Sequence, residues 1–106
     1  MNSNAAKMDY DYIYFLLDDF SDYLQTLNYA AFTINSYNKD LREYIRFLEK
    51  RNIAFEEANH YSVRDYLSFL QNKKLTNTTM SRHLSSIKKF YKYMLRNGYS
   101  DKTKIV

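Results

Sequence analysis

Cysteine and proline are absent from the 106 residues, and glycine occurs once, at Gly98. Without cysteine there is no disulfide framework and no thiolate metal site. With a single glycine and no proline, tight turns have few places to form, which favours helix over a many-turned β fold. A glycine-rich phosphate loop is ruled out on the same ground. No apolar run approaches the roughly 20 residues of a membrane span, and Met1 to Lys7 lacks the apolar stretch of a signal peptide. A soluble, cytoplasmic protein with no membrane partner is expected. Hydrophobic residues at 45% and charged residues at 26% describe a globular chain, long enough for one core.

Charge is unevenly placed. Residues 1–61 hold six Lys/Arg against ten Asp/Glu, a balance of −4, and residues 62–106 hold ten against two, a balance of +8. Lys73, Lys74, Arg82, Lys88, Lys89, Lys92 and Arg96 follow one another with no acid between them. Such a run suits a polyanionic partner, or equally a solvated helix face.

Apolar residues recur with the 3.6-residue period in four segments, near 9–27, 33–51, 62–72 and 77–97. The first carries Ile13, Leu16, Leu17, Phe20, Leu24 and Leu27 on one side, and ends in the turn from Asn28 to Phe32. The second carries Ile34, Tyr37, Leu41, Tyr44, Ile45 and Leu48, with Asn52 as a left-handed stop. Ser62 with Asp65 reads as a capping box for the third, whose stripe is Val63, Tyr66, Leu67 and Leu70. Thr76 is the expected N-cap of the fourth, Asn97-Gly98 its stop, and Met80, Leu84, Ile87, Tyr91 and Met94 its core face. One-sided stripes are not stable alone in water, so a small all-α four-helix bundle is expected. Residues 1–8 read as a disordered start or an artificial remnant, 9–99 as the domain and 100–106 as the beginning of a linker.

At about 100° per residue, Thr78, Arg82, Ser85, Lys89, Lys92 and Arg96 fall within about 60° of the pole opposite Met80. Lysine and arginine suit phosphate oxygens, serine and threonine can donate to phosphates or base edges, and an α-helix fits the DNA major groove. The cations of the second helix, Lys39, Arg42, Arg46 and Lys50, alternate with Glu43 and Glu49 and are expected to pair with them. Of the twelve tyrosines, Tyr37, Tyr44, Tyr66 and Tyr91 fit core positions whose hydroxyls reach the surface. Tyr10, Tyr12, Tyr14 and Phe15 surround the first helix on several sides, as a contact with another subunit or a frayed start would. His60 and His83 offer no paired-ligand spacing, so no metal or cofactor is expected, and no catalytic residue emerges.

Three stretches carry a family resemblance: "FLLDDFSDYLQTLNYAAFTINSYNKDLREYIRFLEKRNI", "SVRDYLSFL" and "LTNTTMSRHLSSIKKFYKYMLRNGY". Thr33-Ile34, Tyr37, Asp40-Leu41 and Phe47-Leu48, then Thr79, Arg82, Leu84-Ser85, Ile87-Lys88, Phe90-Tyr91 and Leu95, stand in an order and spacing similar to the N-terminal core-binding, SAM-like domain of tyrosine recombinases, of the phage-integrase and Xer type. The resemblance implies a domain that clamps a recombination half-site together with a catalytic domain, with helices two and four toward double-stranded DNA. By position it implies Thr33, Ser36 and Lys39 on helix two, and Thr79, Arg82, Ser85, Ser86 and Lys89 on helix four. The expected partners are DNA, the catalytic domain of the same recombinase and other recombinase subunits. Ala30 stands where the family often has a capping serine, and no proline follows in 100–106. The family's catalytic arginines, lysine, histidines and nucleophilic tyrosine belong to a second domain, so this chain is expected to be no enzyme by itself. A protein-interaction module of the same fold is the competing expectation.

Overall fold

The computed structural model describes residues 9–99. The expected disordered start at 1–8 and the expected linker at 100–106 lie outside the described residues. Four helices follow in order: α1 over Tyr10–Thr26, α2 over Ala31–Lys50, α3 over His60–Gln71 and α4 over Asn77–Arg96. A single 3₁₀ turn, Phe55–Glu57, lies between α2 and α3. The expected all-α four-helix bundle is the architecture found.

Helix ends follow from local chemistry. Asn28 at φ 65°, Asn52 at φ 57° and Gly98 at φ 76° each take the left-handed conformation just past a helix. In each case the next amide donates back into the last turn: Tyr29 to Leu24 O, Ile53 to Leu48 O and Tyr99 to Met94 O. These are Schellman stops, and asparagine and glycine are the residues that adopt them at least cost. Lys74 at φ 61° closes α3 without that advantage. At the other ends, Thr76 Oγ1 accepts from Thr79 N at 3.2 Å, as expected for α4. Ala30 caps α2 with no side-chain bond.

The start of α3 differs from expectation. Asn59, not Ser62, is the N-cap: its Oδ1 accepts from Tyr61 N at 2.9 Å and Ser62 N at 3.2 Å. Ser62 Oγ accepts in turn from Asn59 N at 3.3 Å. Ser62 therefore supplies the reciprocal half of the box, and the helix begins two residues earlier than the apolar period indicates.

Buried aromatics join the helices. Phe20 of α1 meets Phe90 and Tyr93 of α4 at 5.2 and 5.1 Å between ring centres. Tyr44 of α2 meets Tyr66 of α3 at 5.3 Å. Phe55, in the segment without helical period, is also interior and stacks on Tyr91 at 4.4 Å. The hydroxyls of Tyr44 and Tyr91 do not reach the surface: they meet at 2.9 Å, and Tyr91 donates to Phe55 O at 3.0 Å. Burial raises the ionisation range of both phenols, so they stay neutral donors. Tyr10 donates to Ile53 O; burial, then the carboxylates of Glu49 and Glu56, push its hydroxyl up to about 12. On α1, Leu27 ends up exposed as the C-cap rather than in the core.

Helix α4 is turned from its expected orientation. Its inward side is centred on His83, Ile87, Phe90 and Met94, about 60° round from the stripe centred on Met80. Ile87, Tyr91 and Met94 are buried as expected, but Met80 and Leu84 are half-buried, and Ser86 and Tyr93 are interior. Phe90→Ala is expected to cost about 3–5 kcal/mol, against roughly 1 kcal/mol for Leu84→Ala. Urea unfolding checks this, and equal losses would return Leu84 to the core.

Candidate nucleic-acid interface

The rotation of α4 changes which side chains face outward. Thr78, Ser81, Lys88, Lys92 and Arg96 are exposed, while Thr79, Arg82, Ser85 and Lys89 are half-buried. Ser81 and Lys88 join this face, although the wheel centred on Met80 left them out. Ser86, a DNA contact by resemblance, is corrected: it is fully buried, and its Oγ donates to His83 O at 2.8 Å. On α2, Lys39 is exposed and Thr33 and Ser36 are half-buried.

Arg82 is held rather than free. Its Nε donates to Asp40 Oδ2 at 2.6 Å and its Nη2 to Asp40 Oδ1 at 3.0 Å. Asp40 is 2% exposed, whereas the Arg82 side chain keeps 37% of its surface. This fork, the bidentate geometry a guanidinium makes with a carboxylate, bridges α2 and α4 beside the proposed face. Donating to the Asp40 carboxylate holds the guanidinium even more firmly protonated than usual.

His83 completes the cluster. Its Nε2 lies 3.3 Å from Asp40 Oδ1, and its Nδ1 lies 3.4 Å from Tyr66 OH. A neutral ring with the proton on Nε2 satisfies both neighbours, donating to the carboxylate and accepting from the phenol. Burial lowers His83 below its ordinary 6.5, against the attraction of Asp40 and Glu43 and with the repulsion of Arg82 and Lys39. Two polar side chains, His83 and Ser86, thus point inward from α4, each hydrogen-bonded. Their polarity hid the true core face from the hydrophobic period.

On α2 the expected pairing of Lys39, Arg42, Arg46 and Lys50 with Glu43 and Glu49 does not form. Arg42 reaches α1 instead, at 3.1 Å from Asp18 Oδ1, and donates to Asn38 Oδ1 at 2.7 Å. Among the described residues, Lys39, Arg46 and Lys50 form no ion pair. At the far end of the face, Lys89, Lys92 and Arg96 rim a cleft of about 150 Å³ floored by Phe20, Tyr23 and Tyr93. Lys89 Nζ lies 6.0 Å from the centre of the Tyr29 ring. Among the described residues no group of His, Cys, Asp and Glu is arranged to hold a metal ion. None of the described helices is long and apolar enough to cross a membrane.

Because His83 resists protonation in the folded state, an unfolded chain takes up a proton below about pH 6.5 that the folded chain does not. Its contribution to stability is complete above that pH and shrinks as the solution is acidified. His83→Gln should flatten the fall in unfolding free energy between about pH 7 and 5, read from urea curves at each pH. A variant with the parent's pH slope would show that His83 is not the group responsible.

Residues 17–98 match the family model for the phage integrase N-terminal SAM-like domain. The tyrosine recombinase XerC of Bacillus pumilus is 39% identical over 79 residues, covering 73% of this chain and 26% of that protein. That of Listeria innocua is 38% identical over 81 residues, covering 74% and 27%. That of Anoxybacillus flavithermus is 34% identical over 84 residues, covering 77% and 28%. No solved structure matches the chain. The chain spans about a quarter of the length of these recombinases, and its helical bundle belongs to the phage-integrase N-terminal SAM-like domain family of the tyrosine recombinases.

Proposed function

We propose that this chain binds double-stranded DNA as one half of a clamp on a recombination half-site, while the chemistry is carried by a catalytic domain of the same recombinase. The observation that carries the reading is the outward face of α4. Thr78, Ser81, Ser85, Lys88, Lys92 and Arg96 succeed one another there over about 27 Å of helix, with no carboxylate among them. In this reading the exposed Lys39 and the half-buried Ser36 and Thr33 contribute from α2, and the half-buried Thr79, Arg82 and Lys89 from α4. Short hydroxyls between cations suit a helix lying against phosphates and base edges. Partner subunits of the recombinase would meet on the same DNA.

A second reading has its own observation. Tyr12 and Phe15 of α1 are exposed, Phe15 at 63%, and their rings stack at 6.2 Å. Such an aromatic pair suits a protein contact. Tyr10 and Tyr14, grouped with them in the sequence, are instead partly buried against the core.

Half a clamp encloses no duplex, so binding at the non-specific level of roughly 10⁻⁴ to 10⁻⁶ M is expected at physiological salt. The double change Lys92→Ala/Arg96→Ala should weaken it on every sequence and reduce the log–log salt slope by about 0.9 for each phosphate no longer neutralised. Fluorescence anisotropy with a mixed-sequence duplex reads both. An unchanged slope, combined with release of a protein partner by Phe15→Ser, would favour the interaction module.

A further inference from the structure

The proposed DNA face contains one cation that differs from the rest. Lys88, Lys92 and Arg96 are exposed and form no ion pair among the described residues. Arg82 instead has two of its donors on Asp40, at 2.6 and 3.0 Å, while 37% of its side-chain surface stays exposed. Asp40 cannot turn away to water: it is interior, and His83 holds its Oδ1 from the far side at 3.3 Å. The carboxylate is therefore a fixed counter-charge, already in the place that a phosphate would take on a free arginine.

We propose that Asp40 is a positioning and specificity-determining residue, which removes Arg82 from non-specific phosphate binding and reserves it for an acceptor met in one fixed direction. The inference rests on the reading of this face as a DNA interface. First, an arginine already neutralised by a carboxylate displaces few counterions from DNA, so it adds little to the salt-dependent affinity that all sequences share. Second, a fork locked at two nitrogens keeps the remaining N–H donors in one orientation, and a donor of fixed direction discriminates between base-edge acceptors where a mobile ammonium does not. Specificity is a difference between affinities, and lowering the affinity for wrong sites raises it as surely as improving the right one. Tyr66 and Ser86 support the arrangement from behind: Tyr66 OH lies against His83 Nδ1, and Ser86 Oγ bonds the His83 carbonyl.

The test is a double-mutant cycle on this chain, with salt-dependent binding to a mixed-sequence duplex as the readout. Asp40→Asn frees Arg82 and is expected to steepen the slope by about 0.9. Between about 50 and 200 mM salt, this variant should lose roughly 3–4-fold more affinity than the parent. Arg82→Gln, which removes a cation that was not engaging phosphates, should leave the slope where it was. The double variant Asp40→Asn/Arg82→Gln should return it to the parent value. Glu43→Gln, the same change in net charge at a neighbouring half-buried acid, controls for charge alone and should not steepen the slope. A chain that shows no salt-dependent binding sinks the DNA reading itself. A chain that binds, but whose slope falls by about 0.9 on Arg82→Gln, has Arg82 as an ordinary phosphate ligand and overturns only the role of Asp40. Equal slopes for Asp40→Asn and Glu43→Gln overturn it as well. Should Asp40→Asn fail to fold, the Arg82→Gln arm decides between the two outcomes.

Discussion

A carboxylate in the interior needs partners, and Asp40 finds them on two sides. Arg82 forks onto it from the surface and His83 meets it from within. An uncompensated charge at such depth would be strongly unfavourable, so the three side chains set the relative placement of α2 and α4. That placement has consequences along the whole of α4. It turns His83 and Ser86 inward, moves Met80 and Leu84 toward the rim, and brings Ser81 and Lys88 out. The proposed DNA face is what remains on the other side.

Aromatic packing fixes the remaining helices around this pair. Phe20 inserts from α1 between Phe90 and Tyr93, and Tyr66 and Phe47 join α3 to α2 at 5.1 Å. Tyrosine serves here because each hydroxyl finds a partner: Tyr44 on Tyr91, Tyr91 on the Phe55 carbonyl, Tyr93 on the Asp19 carboxylate. A buried phenol without a partner would cost most of what its ring contributes. The 3₁₀ turn at Phe55 supplies both a ring for stacking and a carbonyl for Tyr91. That explains how a segment without helical period belongs to the core.

The charge asymmetry of the chain becomes a spatial one. On α1, Asp18 pairs with Arg42 at the surface and Asp19 accepts from the Tyr93 hydroxyl in a partly buried hydrogen bond, so part of the acidic half is partnered within the fold. The cations of α4 other than Arg82 have no such partners among the described residues. The positive charge of Lys88, Lys92 and Arg96 is thereby displayed rather than neutralised among the described residues.

The sequence by itself determined the four helices, three of their stops and most of their inward residues, because these depend on interactions between neighbours in the chain. Asn28, Asn52 and Gly98 reach the left-handed region with little penalty whatever surrounds them, and a 3.6-residue stripe is a property of the helix alone. The basic, acid-free run from Lys73 to Arg96 was legible for the same reason. Only the tertiary structure decided the rotation of α4, the burial of Ser86 and the capture of Arg82, whose partner Asp40 lies 42 residues earlier in the chain. No periodicity marks a polar residue as interior: the hydrophobic pattern counts His83, Ser86 and Asp40 as surface. Burial becomes favourable for Asp40 and His83 only when hydrogen-bond partners from different helices converge, and for Ser86 because its hydroxyl bonds a carbonyl of its own helix.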